Sequence, residues 1–314
     1  MNESFLNTSD IENNIIDPVD ILNQYAIYSS IQDDIIFSDQ SINNPIFCGG
    51  FIQNFSRNVY NYRKNEFIGY ISYKLDLTIK LSSNLIFKID ESNPNLIFIL
   101  PYASYAMKIL RRIDPKLGQI FIIIGLNFFS ILLLQLIRLS GANCYIINLE
   151  KNDSNYDRFD LFKDFIIDGF DNKIFSSYEG MSNTAILLNE VNLNIIDFLL
   201  NNSNMIQETN FFSIKANFNK DIEKINPNNF VKISNFDIGF SDLDYNLGIK
   251  YPYSYIRWDY KKNLEYFIYL VENKLINITF LKINYIEVNS INTITNRIKN
   301  LESSCLFLFK LLSK

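Results

Sequence analysis

The chain changes rhythm once. Between residues 20 and 90 the apolar positions come in short runs, QYAIYSSI, PIFCGGFI, EFIGYISYKLDLTIKL and NLIFKIDE, partly alternating and separated by Asn, Ser and Gly. Period-two alternation marks strands with one buried face, and turn residues at such short intervals predict a small antiparallel, barrel-like unit. From about residue 103 onward, strand-length and helix-length apolar runs alternate, which is the pattern of a parallel sheet with crossover helices. The candidate strands are residues 119–124, 143–148, 164–167, 184–189, 210–215 and 237–240, and helices between them suit a doubly wound α/β fold. Residues 261–273 read as an amphipathic helix, with Leu264, Phe267, Ile268 and Val271 at helical spacing. A strand-like run, TFLKINYI, follows, and the apolar tail SSCLFLFKLLSK reads as a last helix or strand packed on the first domain, with a membrane-touching tail as its rival.

Residues 120–137, inside IFIIIGLNFFSILLLQLIRLSGANCYIINLE, admit two readings. A bilayer span needs about 20 consecutive apolar residues, which this run barely approaches. Gly125, Asn127, Ser130 and Gln135 interrupt it, Lys116 and Arg138 flank it, and no aromatic belt or second comparable span accompanies it. The interruptions fit the other reading better. β-favouring residues end at Gly125, and a Leu-rich run of helix length closes at LSGA before another apolar strand. That order is strand, turn, helix and strand, with Gly141 placed to stop the helix.

A dinucleotide-binding turn reads G-x-G-x-x-G: the first glycine makes the turn, the second lets the backbone approach the pyrophosphate, and the third lets helix pack on strand. Here the stretch is GLNFFS, so Gly125 keeps the first place while Asn127 and Ser130 take the other two. Asn best replaces glycine where a left-handed backbone is needed, although its side chain projects into space the phosphate uses. Gly125, Leu126, Asn127 and Phe128 are therefore cofactor-binding candidates, together with Asn148. At the end of the second strand, where an acidic residue ordinarily holds the ribose hydroxyls, stands Asn148, with Glu150 two residues on. NADP joins NAD as a candidate cofactor. The competing reading is a scaffold of the same shape that holds no nucleotide.

At 314 residues the chain is too long for one ordinary core and suits two domains. Its net charge is −5 and its Lys and Arg are scattered, which argues against a nucleic-acid partner. There is no histidine, and this excludes Ser-His and Cys-His nucleophiles and the usual zinc ligand. Cys48, Cys144 and Cys305 are far apart and odd in number, as expected of a reducing compartment rather than a disulfide framework. Cys48, in FCGG, reads as a packing thiol, since no basic partner is visible to ionise it. The start, MNESFLNTSDIENN, lacks the basic and apolar regions of a secretory signal, so a cytoplasmic protein is expected. Abundant Ile and Asn fit an AT-rich genome, and NNSN and NPNN read as loops.

The order of segments resembles the medium-chain dehydrogenase/reductase superfamily. A β-rich domain is followed by PYASYAMKILRRIDPKLGQIFIIIGLNFFSILLLQLIRLSGANCYIINLE, like that superfamily's passage from a helix through P-K-x-G-x into the cofactor strand. Within it, GIKYPYSYIRWDYKKNLEYFIYLVENKLINI, residues 248–278, looks like the G-x-x-Y-P-x-x-Y-x-R-W block and N-x-x-x-F-L helix of the zinc-independent bi-domain oxidoreductase group, often found with surface-polysaccharide genes. The early ILNQYAIYSSIQDD resembles that group's first-domain strand entering its active-site loop.

The resemblance implies a GroES-like, β-rich substrate domain, residues 1–102 with 276–314, and a Rossmann-type nucleotide domain, residues 103–275, with the cleft where they meet. It also implies hydride transfer between a nicotinamide and a small carbonyl or activated alkene, with the protein positioning the substrate and stabilising the developing oxyanion. A sugar-linked substrate suits the group. Candidate donors are Tyr255 and Arg257 in YSYIRWD, which could equally form a packed, hydrogen-bonded loop beside Trp258. Lys74, in YKLDL, stands roughly where relatives carry a histidine; a lowered pKa would make it a proton donor, and otherwise it is a solvated edge-strand lysine. The zinc ligands of the classical alcohol dehydrogenases have no counterpart, so no metal is expected. The first domain is shortened between CGGFIQNF and EFIGYISY, and this, with the replaced glycines, opens the alternative of a catalytically inactive scaffold serving as a binding or assembly partner. The expected partners are a small-molecule substrate and, by resemblance only, a second copy of the chain across the edge of the nucleotide-domain sheet; neither nucleic acid nor membrane is expected.

Overall fold

The computed structural model describes residues 15–29, 46–72, 77–148, 156–169, 183–187, 210–213, 230–232, 249, 259–281, 283–289 and 306–311. Two compact units divide the chain: residues 1–104, 236–269 and 282–314 in the first, and 105–235 and 270–281 in the second.

The first unit is built on a seven-stranded sheet. Its strands are β1 (Pro18–Ser29), β2 (Ile46–Phe55), β3 (Phe67–Ser72), β4 (Thr78–Ser82) and β5 (Ile86–Lys88). Two strands from the far end of the chain, here β12 (Asn284–Val288) and β13 (Leu306–Leu311), complete it in the order β12-β13-β1-β2-β3-β5, with β4 also on β1. All pairs are antiparallel except β12 with β13. β1 organises the sheet. Along β2 its register shifts twice, between Asp20 and Ile21 and between Asn23 and Tyr25. Such bulges bend a strand, and the bent β1 then pairs Pro18 to Leu22 with β4 and Tyr25 to Ser29 with β13. Val19, Ile21, Cys48, Ile52, Ile68, Tyr70, Ile79 and Leu81 form a buried core on it. The run EFIGYISYKLDLTIKL thus holds two strands, and the apolar tail contributes one.

A helix, α1 (Asn95–Ile113), leads out of the β-rich region. In the second unit the parallel strands are β6 (Ile120–Ile124), β7 (Asn143–Asn148), β8 (Ile166–Asp168), β9 (Asn183–Leu187), β10 (Asn210–Ser213) and β11 (Phe230–Lys232). Their order is β11-β10-β9-β6-β7-β8. Numbered within the sheet this is 3-2-1-4-5-6 read from its β8 edge, the doubly wound arrangement. β11 at Phe230–Lys232 is not among the expected strands, and the strand expected at residues 237–240 lies outside the described residues. β8 starts later than expected because residues up to Phe165 belong to a 3-10 helix, Tyr156–Phe165.

Between β6 and β7 runs α2 (Phe128–Leu139), apolar nearly all round because it is buried nearly all round. Gly141, at φ 87°, ends it: the Gly141 N–H donates to the Arg138 carbonyl at 3.0 Å, in a left-handed conformation that costs glycine little. Gln135, polar in the middle of this run, is not a membrane misfit. Its Nε2 donates to the Asn277 carbonyl at 3.0 Å and its Oε1 accepts from the Asn277 N–H at 2.7 Å, which fastens a later loop to the helix. Among the described residues no helix is long and apolar enough to cross a membrane.

A third helix, α3 (Tyr260–Glu272), buries Leu264, Phe267, Ile268 and Val271, the four residues its periodicity singled out. Its residues through Tyr269 belong to the first unit, where its first turn is anchored. Lys261 Nζ donates to Tyr62 Oη and to the Ser83 carbonyl, both at 2.8 Å, while Tyr62 Oη donates to the Ile86 carbonyl at 3.0 Å.

Candidate functional site at the switch point of the parallel sheet

The sheet order leaves one place where the chain turns opposite ways. From β6 it passes through α2 to β7 on one side, and the strand on β6's other side, β9, comes later. In open α/β sheets ligands bind outside the carboxyl ends of the strands at this reversal, because the two loops there diverge and leave a crevice. Gly125 is the first residue past β6. It has φ 112°, a conformation that a side chain rarely tolerates, and its N–H donates to the Ile147 carbonyl of β7 at 3.0 Å.

Asn127 is the N-cap of α2. Its backbone is extended, with φ −156° and ψ 179°, so it takes no left-handed conformation and the expectation that it stands in for a glycine of that kind is corrected. What it supplies is a side chain. Asn127 Oδ1 accepts from the Ser130 N–H at 2.9 Å, and Ser130 Oγ accepts from the Asn127 N–H at 2.9 Å while donating to the Asn127 carbonyl at 2.7 Å. This is a reciprocal capping box. The two residues that replace the second and third glycines therefore bind each other across the helix N-terminus, the end of a helix that attracts anions. Leu126 and Asn127 are partly exposed, whereas Phe128 buries its ring.

The neighbouring strand ends are joined to each other. Asn148, at the end of β7, is only 4 % exposed, and its Nδ2 donates to Asp168 Oδ1 at 3.1 Å. The Asn148 carbonyl accepts from the Gly169 N–H at 2.9 Å, and Gly169 has φ 71°. Asp168 itself is exposed. Sequence reasoning named Asn148 and missed Asp168, although the D-G step closing FIID marks a strand that stops at an acid.

The box engages the amides of Asn127 and Ser130, so a diphosphate brought to this turn would sit beside the Asn127 carboxamide or would displace it.

The other candidates stand elsewhere. Lys74, Tyr255 and Arg257 lie outside the described residues, as does Glu150. Cys48 and Cys144 are free and fully enclosed. Burial pushes the Cys48 thiol up to about 12, against a smaller opposing effect of its hydrogen bond with Tyr70; burial also raises Cys144 despite nearby Arg138. Neither is a nucleophile near neutrality. On α3, burial raises the Glu265 carboxyl above its usual range, with Lys261, 3.8 Å away, working the other way. Among the described residues no group of three or more His, Cys, Asp or Glu is placed to hold a metal ion.

No family model matches the chain, and no curated protein does. Solved structures do. The enoyl reductase CurK matches with a TM-score of 0.62 at 10% identity, covering 95% of this chain and 92% of its own. A cinnamyl alcohol dehydrogenase from Sorghum bicolor matches at 0.57 and 9% identity, over 93% of this chain and 90% of its own. The quinone oxidoreductase of Coxiella burnetii matches at 0.54 and 10% identity, over 94% and 90%. All are medium-chain dehydrogenase/reductase proteins, built from a GroES-like domain and a Rossmann domain. With a mixed β-sheet unit, a doubly wound parallel sheet and such coverage of both partners, this chain has the fold of the medium-chain dehydrogenase/reductase superfamily.

Proposed function

We propose that the chain is a zinc-independent, NAD(P)-dependent oxidoreductase of the medium-chain type, acting on a small carbonyl substrate, sugar-linked in keeping with the bi-domain group. The carrying observation is Gly125: a residue at φ 112°, immediately past β6, at the reversal point of a 3-2-1-4-5-6 parallel sheet. The names of the matched structures, an enoyl reductase, an alcohol dehydrogenase and a quinone oxidoreductase, support the same class of chemistry. The bound nicotinamide would supply the hydride. The chain would hold the diphosphate at the start of α2, in the segment Gly125, Leu126, Asn127 and Phe128, and Tyr255 and Arg257 would steady the substrate oxygen. Lys74 is the proposed alternative proton donor. A GroES-like substrate domain of residues 1–102 with 276–314 and a nucleotide domain of residues 103–275 remain the proposed functional division. The proposed setting is the cytoplasm, with a homodimer as the assembly.

The deciding experiment is calorimetric titration of the full chain with NADH and NADPH. Saturable binding of either supports the proposal, and absence of heat from both at millimolar nucleotide refutes it.

The capping box favours a second reading, a catalytically inactive dehydrogenase-like scaffold that binds or assembles other molecules. Asn127 and Ser130 satisfy donors at the helix start without any ligand. A panel of carbonyl and alkene acceptors separates the two: nucleotide binding without oxidation of NADH or NADPH across the panel favours the scaffold.

A further inference from the structure

We propose that Asp168 provides the carboxylate that receives the adenosine ribose of the dinucleotide, aimed by Asn148, and that it makes the chain selective for NAD(H) over NADP(H). This deepens the dinucleotide reading and rests on it. In the glycine-rich pattern the ribose acid closes the second strand, one strand over from the turn. The residue closing the second strand here is Asn148, an amide that is 4 % exposed and committed to Asp168. β7 and β8 are paired with Asn148 opposite Asp168, so the two residues end adjacent strands, about 4.8 Å apart in the sheet. The 3.1 Å bond from Asn148 Nδ2 to Asp168 Oδ1 holds the carboxylate against the end of β7. An exposed acid thus stands one hydrogen bond from the place where the pattern expects one.

The backbone supports this position. Gly169, at φ 71° and with its N–H on the Asn148 carbonyl, turns the chain directly after Asp168, so the acid caps the strand rather than being followed by more of it. The strand ends then run Gly125, Asn148, Asp168 along one edge of the sheet. A carboxylate accepts hydrogen bonds from ribose 2′- and 3′-hydroxyls, and it repels the 2′-phosphate of NADP. On the described side of this layer Arg138, which could have answered that phosphate, is at the last turn of α2 over the Phe165 ring, 4.0 Å from its centre. Because α2 begins at the carboxyl edge, its last turn is at the opposite edge.

The test compares NADH and NADPH affinities by calorimetry in the full chain and in Asp168→Asn and Asp168→Ala, with thermal melts confirming that each variant is folded. Asp168→Asn keeps an oxygen for Asn148 Nδ2 and removes only the charge. The parent should bind NADH more tightly than NADPH by about tenfold or more, and both variants should weaken NADH by about tenfold while sparing NADPH, so that the preference collapses. Binding of both nucleotides with an unchanged ratio in the variants, or a parent that prefers NADPH, overturns the assignment of Asp168 and leaves the dinucleotide reading standing. Failure of the parent to bind either nucleotide overturns that reading and this proposal with it.

Discussion

Asn127 can be altered three ways, and the structure assigns each a different outcome. Asn127→Ala removes the oxygen that receives the Ser130 N–H and leaves that donor, on a fully buried residue, without its partner. Losing an Asn cap costs about 1 kcal/mol, and a stranded buried donor takes the loss toward about 2 kcal/mol. Asn127→Gly costs only a few tenths, the usual loss when glycine replaces an Asn cap. Asn127→Asp keeps the cap oxygen and adds a negative charge where the helix dipole favours one. Melting temperatures should follow: at about 2–4 °C per kcal/mol for a domain of this size, Ala falls by several degrees, Gly barely moves, and Asp holds or rises. Dinucleotide affinity should follow a different order. If the diphosphate must displace the carboxamide, a parent that gives up its cap bond on binding is at a disadvantage of up to about 1 kcal/mol to a variant that never had one, so Asn127→Gly should bind NADH more tightly than the parent, by up to about fivefold. Asn127→Asp should bind it less tightly, by charge repulsion. Calorimetry and circular-dichroism melts on the same preparations read both series. An unchanged melting temperature in Asn127→Ala refutes the capping argument; equal NADH affinity in Asn127→Gly and the parent refutes the displacement argument.

Three further outcomes follow from the described packing. Iodoacetamide applied to the native chain, with peptides read by mass spectrometry, should leave Cys48 and Cys144 unmodified near neutrality, since burial raises both thiols; rapid labelling of either would contradict their enclosure. Gln135→Leu should cost about 1–3 kcal/mol in urea unfolding despite its greater apolarity, because it strands the Asn277 N–H and carbonyl, and a stabilised variant would show that the pair does not hold. Burial raises the Glu265 carboxyl, so its folded-state pKa lies above its unfolded one: ionisation opposes folding, the penalty being absent below the unfolded pKa and complete once pH has risen through the folded pKa. Because the Glu265 side chain is 45% exposed and pairs with Lys261 at 3.8 Å, the effect is small: Glu265→Gln should melt slightly higher than the parent at neutral pH and equal to it in acid, and a gap that widens on acidification would reverse the sign.

The apolar core of the second unit was legible because its signals are local. Gly125, Ser130, Gln135 and Gly141 each interrupt an otherwise uniform run for a reason that structure makes plain: a positive φ, a cap, a tether and a helix stop. Helix α3 was legible for the same cause, a period of four buried residues. β11 was not. It has three residues, too few to show a period, and DIGF further along offered a better-looking strand. Nor could the attachment of β13 to β1 be read, since a strand's partner lies far away in sequence and β1 divides one edge between two partners. Asp168 escaped for the related reason that its meaning comes from the register of β8 on β7. Asn127 was located correctly but given the wrong physics, a backbone role where the structure gives it a side-chain one.

The replacement of two glycines and the appearance of a capping box are one change. A bare glycine turn leaves the donors of a helix start to water or to a ligand, so an empty site carries unsatisfied polarity and a bound phosphate stabilises the fold through it. In this chain Asn127 and Ser130 meet that need from within, and the strand ends at Ile147, Asn148 and Gly169 are stitched by main-chain bonds that involve no ligand. Folding is thereby uncoupled from nucleotide binding at the turn. A dinucleotide that binds would then raise stability only by mass action, as RT ln(1 + [L]/Kd), with no added gain from completing the helix cap. The two functional readings share this consequence and part at the next step: an enzyme still admits the diphosphate beside the box or in place of the Asn127 carboxamide, whereas a scaffold has let its own side chains take the ligand's place.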